Sequence, residues 1–374
     1  MDRPTICRRW RKGCGILFLG LTLLLACPGT GTAQQNPHGV LPVAGMEDPY
    51  LLLIHDPFVH QELKLSAGQR ALLSRVCGQL DGDIWTTRNQ TAERAAAIRR
   101  RLQGQAAGEL AEVFTPDQAR RLREIERRTI GVRVFLREDM SQLLALRPDQ
   151  REAIGEILRK TDDASAAIIR KRQAGDSSPE LDTQHRELQV QAQKDIWARL
   201  TDDQKKKALE ALGATFDASK LGNVRLLAPE FPPATAWLNS QPLTLKELRG
   251  QVVVVFVWTF GCINCIRNYP WYLGWYKDFG GRDFTIIGVH TPEVEGEHDL
   301  MRVTAKTREN GFDFPVVVDN DKKIWNAWGN SMWPSTYVID RRGFVRAWWL
   351  GELNWENQPG EKLLRGRIEE LLAE

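Results

Sequence analysis

Apolar residues change their spacing twice along this chain. From Ile16 to Ala26, "ILFLGLTLLLA" is an unbroken apolar run. From about Met46 to Phe216 the apolar positions recur at three- and four-residue intervals among many Arg, Glu, Gln and Ala, the period of amphipathic helices. Beyond Pro233, short continuous apolar runs alternate with helical stretches, as strands and helices taken in turn would. The pattern predicts a multidomain protein: an all-α helical module over 46–216, a Pro-rich linker over 217–233, and an α/β domain over 234–374.

Within the helical module one short pattern recurs four times: "LSAGQ" from Leu65, "FTPDQ" from Phe114, "LRPDQ" from Leu146 and "LTDDQ" from Leu200. In three of them Ser66, Thr115 or Thr201 can cap the first turn of a helix. Gln69, Gln118 or Gln204, three residues on, can reach back to the cap. Pro116 and Pro148 take the first helical position, where a missing N–H costs nothing. Arg147 makes the third copy the weakest. The tetrads resemble the LTxxQ signature of the Spy/CpxP-type helical periplasmic proteins, which implies a client-binding surface; helix capping accounts for the same residues without one. The basic clusters near Arg99 and Arg120 carry interleaved Glu and helical apolar positions, so they predict solvated helix faces and no nucleic-acid surface. The module is expected to fold without the α/β domain.

In the last part, "TAWLNSQPLTL" predicts a hairpin turning at Asn239 and Ser240, and "QVVVVFVWT" a central strand buried on both faces. A helix with Pro270 inside it follows, then the strand "FTIIGVHT", a helix ending at Gly311, the strand "FPVVVD" and a short helix at "KKIWNAWG". A hairpin turning at Arg342 and Gly343 and a terminal amphipathic helix complete the order. The junction of the central strand and its helix reads "WTFGCINCIRNYP". Cys262 sits where unpaired N–H groups stabilise a thiolate and Cys265 one turn further in, which makes Cys262 the attacking sulfur and Cys265 the resolving one. A zinc site would need two more ligands, and only His290 and His298 are at hand, so neither a metal nor another cofactor is expected.

Charge adds little: 51 basic and 48 acidic residues leave a formal +3, with no call for an acidic or nucleic-acid partner. Location adds more. "RRWRKG", the apolar run and the small residues Gly29, Gly31 and Ala33 predict an export signal over 1–33, too short to span a membrane as a helix. "LLAC" ending at Cys27 also fits a lipoprotein box that would leave Cys27 as a lipid anchor. Cleavage near Ala33 and an uncleaved anchor are the alternatives, and all three put the bulk of the chain outside the cytoplasm. Of six cysteines, Cys7, Cys14 and Cys27 belong to this region and Cys77 stands alone on a helical pattern. The remaining pair closes a loop too short to stabilise a fold, so it is expected to cycle between dithiol and disulfide.

"VWTFGCINCIRNYPW", "IIGVHTPE", "VVDNDKKIWNAWGNSMWPSTYVID" and "RRGFVR", in this order, resemble the TlpA/DipZ-type extracytoplasmic thioredoxin-like oxidoreductases. The resemblance implies a thioredoxin-like domain that exchanges thiols and disulfides, with Cys262 as nucleophile, Cys265 as its partner and Pro334 as a cis-proline facing the pair. It implies Trp258 and Trp333 beside the pair, as an apolar rim for substrate or as core aromatics. The acids such proteins often place near the cysteines are missing: those positions hold Phe256 and Asn268. Parallel strands send their following loops to one edge of the sheet, so Glu293 and His290 are expected near the pair, either as a proton relay or as loop caps. The expected function is an extracytoplasmic thiol-disulfide oxidoreductase acting on envelope proteins that carry cysteines or disulfides, with a membrane electron donor or acceptor. The alternative is a helical holdase with a redox-sensing domain.

Overall fold

The computed structural model describes residues 48–374 apart from 174, 175, 177, 223 and 235, so the export signal and Cys27 lie outside the described residues. The helical part is a tandem duplication. Its first unit has α2 (Pro57–Glu62), α3 (Ala67–Thr86), α4 (Ala92–Leu110) and α5 (Pro116–Ile130), preceded by α1 (Tyr50–His55). Its second has α6 (Glu138–Leu143), α7 (Pro148–Gln173), α8 (Pro179–Ala198) and α9 (Asp202–Leu212). Each unit is a short helix, a long helical hairpin and a closing helix. The short helices end alike: Lys64 and Ala145 both take left-handed backbone, and the next amides, Leu65 and Leu146, donate to His60 O (3.1 Å) and Ser141 O (3.0 Å).

The recurring tetrads explain the duplication. Ser66, Thr115 and Thr201 each accept from the glutamine N–H three residues on, and that glutamine's side chain accepts from the cap amide, a closed capping box in all three. Arg147 lacks the hydroxyl, but Gln150 still accepts its N–H at 3.1 Å. The free end of each glutamine then crosses to the other tetrad of its unit. Gln69 Nε2 donates to Gln118 Oε1 (2.7 Å) and Val113 O (2.8 Å), and Gln118 Nε2 donates to Leu63 O (3.1 Å). In the second unit Gln150 Nε2 donates to Gln204 Oε1 (2.9 Å) and Arg199 O (2.7 Å), and Gln204 Nε2 to Leu144 O (3.2 Å). Each pair is a two-fold clasp that satisfies carbonyls left open at a helix end.

The α/β part is a six-stranded sheet in the order β1-β4-β3-β2-β5-β6. Its strands are β1 (Ala236–Leu238), β2 (Val252–Trp258), β3 (Phe284–His290), β4 (Val316–Val318), β5 (Ser335–Ile339) and β6 (Val345–Leu350). β2, β3 and β4 are parallel; β1, β5 and β6 run antiparallel to their neighbours. The helices are α10 (Ile263–Phe279), α11 (Leu300–Glu309), α12 (Lys323–Ala327) and α13 (Gly360–Ala373). The hairpin expected at Asn239 and Ser240 is absent. β1 instead pairs with the edge of β4, and Asn239 Nδ2 donates to Phe312 O and Phe314 O, so backbone partners on an existing sheet replace an isolated two-strand ribbon.

β2 is buried at all seven positions, and its two faces have different covers. Val252, Val254, Phe256 and Trp258 pack with α10 and α13 through Tyr272, Trp275, Leu364 and Ile368. Val253, Val255 and Val257 share one apolar cluster with Leu53, Leu80, Ile84, Trp85 and Leu102 of the first helical unit. The second unit keeps its own core around Phe135, Met140, Ile154, Leu158 and Ile196. Packing therefore divides the molecule elsewhere than chain order suggests: the first unit is one wall of the sheet domain. The expected linker is a strap between them. Gly222 N–H donates to Asp56 Oδ2 (2.9 Å), Leu227 N–H to Asp81 Oδ2 (2.8 Å), Trp85 Nε1 to Leu227 O (2.9 Å) and Val345 N–H to Leu226 O (3.0 Å). Among the described residues no helix is long and apolar enough to cross a membrane.

Candidate active site

The cysteine pair stands where β2 leaves the sheet. Cys262 is the N-cap residue of α10, in extended backbone, with its N–H on Thr259 O at 3.4 Å. Cys262 is half-buried, Cys265 is fully buried one turn along, and both are free thiols. The same fold moves their acidities apart. A hydrogen bond from Cys265, outweighing burial, and the backbone N–H groups of Cys265 and Asn264 bring the Cys262 thiol down to about 7. Burial, and then the hydrogen bond it donates to Cys262 and the charge there, push the Cys265 thiol far up.

Beside the pair runs the segment from Trp328 to Pro334, which joins α12 to β5. The Trp333–Pro334 peptide is cis. Val257 pairs with Ser335, so Trp333 and Pro334 lie alongside the residues that lead from β2 into Cys262. Trp333 is half-buried: it stacks on Trp325 at 3.9 Å, donates its indole N–H to Thr291 O at 2.9 Å, and packs on the apolar cluster that also holds Cys265. Trp258 is not a rim residue. It has no exposed surface, and Tyr269, His290 and Phe312 meet it edge-on, because its position in β2 points it into the α10 side of the core. The exposed apolar groups near the pair are Ile263 and Ile266.

His290 and Glu293 are separated by burial. His290 ends β3 with no exposed surface, between the stacked ring of Phe260 and the edge of Trp258; its Nε2 faces Thr259 Oγ1 at 3.4 Å. Burial lowers its pKa to about 4, so the ring is neutral at physiological pH. Glu293 is exposed, and its charge raises the pKa of both cysteines. Asn268 is buried and bonds Gly351 O and the N–H of Leu353, tying α10 to the end of β6.

The residue that sequence reasoning missed here is Glu297. Its buried carboxylate accepts the N–H of Gly261 (3.0 Å), next to Cys262, and those of Glu293 (2.7 Å) and Val294 (3.2 Å). Burial acts to raise its pKa, but hydrogen bonds from Thr259 and these amides hold it below the ordinary carboxylate range. The available signal was a glutamate three residues after Val294, a capping spacing. No group of three or more His, Cys, Asp or Glu among the described residues is arranged to hold a metal ion.

Residues 224–348 match the AhpC/TSA family. The carboxy-terminal part of this chain is a thioredoxin-like domain. The chain is 38% identical to protein DipZ of Mycobacterium tuberculosis across 128 residues, 33% of this chain and 18% of DipZ. It is 27% identical to the thiol-disulfide oxidoreductase YkuV of Bacillus subtilis across 147 residues, 39% of this chain and 94% of YkuV. A solved thioredoxin-like superfamily protein is 28% identical, covering 40% of this chain and 97% of its own, with a TM-score of 0.36. The chain thus spans about a fifth of the length of DipZ, and neither named relative matches more than 39% of this chain.

Proposed function

We propose that this protein is an extracytoplasmic thiol-disulfide oxidoreductase acting on protein disulfides through Cys262 and Cys265. The observation that carries the reading is the opposed state of the two thiols: a half-buried one with a pKa of about 7 at a helix N-terminus, and a buried one held protonated beside it. In the reducing direction the Cys262 thiolate attacks one sulfur of a substrate disulfide, forming a mixed disulfide and releasing a substrate thiolate that takes up a proton. Cys265 then loses its proton and attacks the Cys262 sulfur. The second substrate sulfur leaves as a thiolate that takes a proton from water, and the domain holds the Cys262–Cys265 disulfide with the two electrons transferred to substrate. Oxidation is the same sequence reversed. The first released thiolate is the base that takes the Cys265 proton, since Asn268 and Phe256 are not acids, His290 is sealed in the core and the Glu297 carboxylate is engaged by backbone amides. In this reading Glu293, exposed beside the pair, relays through water the proton that the second leaving thiolate takes up.

The substrates in this reading are envelope proteins with cysteines or disulfides, and a membrane electron donor or acceptor resets the pair. The export signal read from residues 1–33 supports the location. The holdase alternative loses its motif support, because the glutamines of the tetrads are spent on the two clasps. The test is trapping. Full-length Cys265→Ser should accumulate mixed disulfides with envelope proteins, and Cys262→Ser should accumulate none. Equal trapping by both variants would overturn the assigned order.

A further inference from the structure

The segment from Trp328 to Pro334 has no regular structure of its own; its first three amides bond back to α12, and the first helical unit supplies donors for two of its carbonyls. α3 ends against it and continues as a 3-10 turn, Thr87–Asn89. Arg88 Nη1 donates to Trp328 O (3.4 Å) and to the Tyr337 hydroxyl (3.2 Å), and Asn89 Nδ2 donates to Asn330 O (3.0 Å). The Tyr337 hydroxyl in turn donates to Asn330 Oδ1 (2.6 Å). The Arg88 guanidinium lies over the rings of Trp85 (4.8 Å), Trp348 (5.1 Å) and Tyr337 (5.7 Å), so three aromatic faces fix the donor that grips the loop. Between the two bonded carbonyls sits Gly329, at φ +59°; a Cβ there would come within 2.3 Å of Trp85 O. The helix backbone and the loop backbone are in direct contact.

We propose that the first helical unit is a positioning device for the thioredoxin-like site, with Arg88 and Asn89 setting the loop that presents Trp333 and Pro334 to a polypeptide substrate. The inference rests on the oxidoreductase reading for its consequence, and on geometry alone for the brace. Neither residue contacts a cysteine, so both act through the loop. Loss of the brace frees two loop carbonyls and lets the substrate-facing strand entry drift while β2, α10 and the thiols stay in place. Binding of a folded or extended polypeptide should suffer, and the chemistry of Cys262 should not.

The experiment uses the full-length protein and two variants: Arg88→Ala with Asn89→Ala, and the milder Asn89→Asp, which turns a donor toward a carbonyl into an acceptor. Hydrogen exchange of the amides at 329–333 is expected to quicken at least tenfold in the double variant and less in Asn89→Asp, with amides of β2 and α10 unchanged. In reduction of insulin disulfides, KM should rise several-fold with kcat and the alkylation rate of Cys262 by iodoacetamide preserved. Unchanged exchange at 329–333 in both variants would overturn the brace whatever the kinetics. Faster exchange with an unaltered KM would overturn the positioning role. If the wild-type protein leaves insulin untouched, the oxidoreductase reading fails while the exchange result still decides the brace.

Discussion

Cys262 and Cys265 have the same side chain, and what separates them is one helical turn. Cys262 meets the free N–H groups at the start of α10 and Cys265 meets the core, so the charged form is favoured at the first and penalised at the second. Alkylation of Cys262 should therefore follow a single titration near 7, running about tenfold slower one pH unit below that than on its high-pH plateau. Cys265 should stay unmodified in the folded protein; modification of both at equal rates would contradict this placement, and mass mapping of the labelled peptides decides it. The position of the two cysteines at the start of α10 was legible because strand-to-helix spacing alone places them. Trp258 and His290 were not, since a residue at the end of a strand faces solvent or core according to which helix covers that side. Glu297 was hidden for a different reason: its partners, Gly261 and Glu293, are brought to it by the pairing of β2 with β3.

The helix starts were readable as elements, and three of the four tetrads form the closed capping boxes their sequence implies. Their pairing was not readable, because the partners sit on different helices of unequal length and no local rule sets which glutamine meets which. The clasp in the second unit is the more buried, with Gln150 and Gln204 both out of solvent. Replacing Gln204 by Ala removes the bonds it makes with Leu144 O and the Thr201 N–H and one of the two bonds of Gln150 Nε2, which should cost about 1–3 kcal/mol. Denaturant unfolding would show it as a lower midpoint at unchanged slope. Gln69→Ala should cost less, because water can reach the half-buried first clasp. Equal losses at the two sites would mean that the clasps work by capping alone and that the crossing bonds add nothing.

Across the whole molecule the first helical unit, the strap and the sheet are joined through one buried pair. His55 donates Nδ1 to Leu51 O (2.5 Å) and Nε2 to Asp81 Oδ1 (2.7 Å), while Asp81 Oδ2 takes the N–H of Leu227 in the strap. Both ring nitrogens face acceptors, so the imidazolium fills both bonds. Burial opposes that charge, but the bonds to Asp81 and Cys77 outweigh it and raise the pKa well above 6.5. A raised folded-state pKa gives stability that is whole below 6.5 and is lost as pH climbs through the folded value. His55→Gln should thus lose most relative to wild type at about pH 6 and least at about pH 9, read from paired denaturation curves. A deficit that does not change with pH would show that the ring works only by packing. Periodicity, turn residues and the CxxC spacing were enough to read the helical amino-terminal part, the strand-helix order and the place of the cysteine pair at a helix start, because each follows from bonds a chain segment makes with itself. The run "VVVVFVW" also announced that both faces of β2 are covered, but any apolar helix satisfies that demand. Which helices do so, and hence that Arg88, Asn89 and Asp81 reach the loop and strap of a distant domain, depends on contacts between segments far apart in the chain. Local pattern carries no record of those partners.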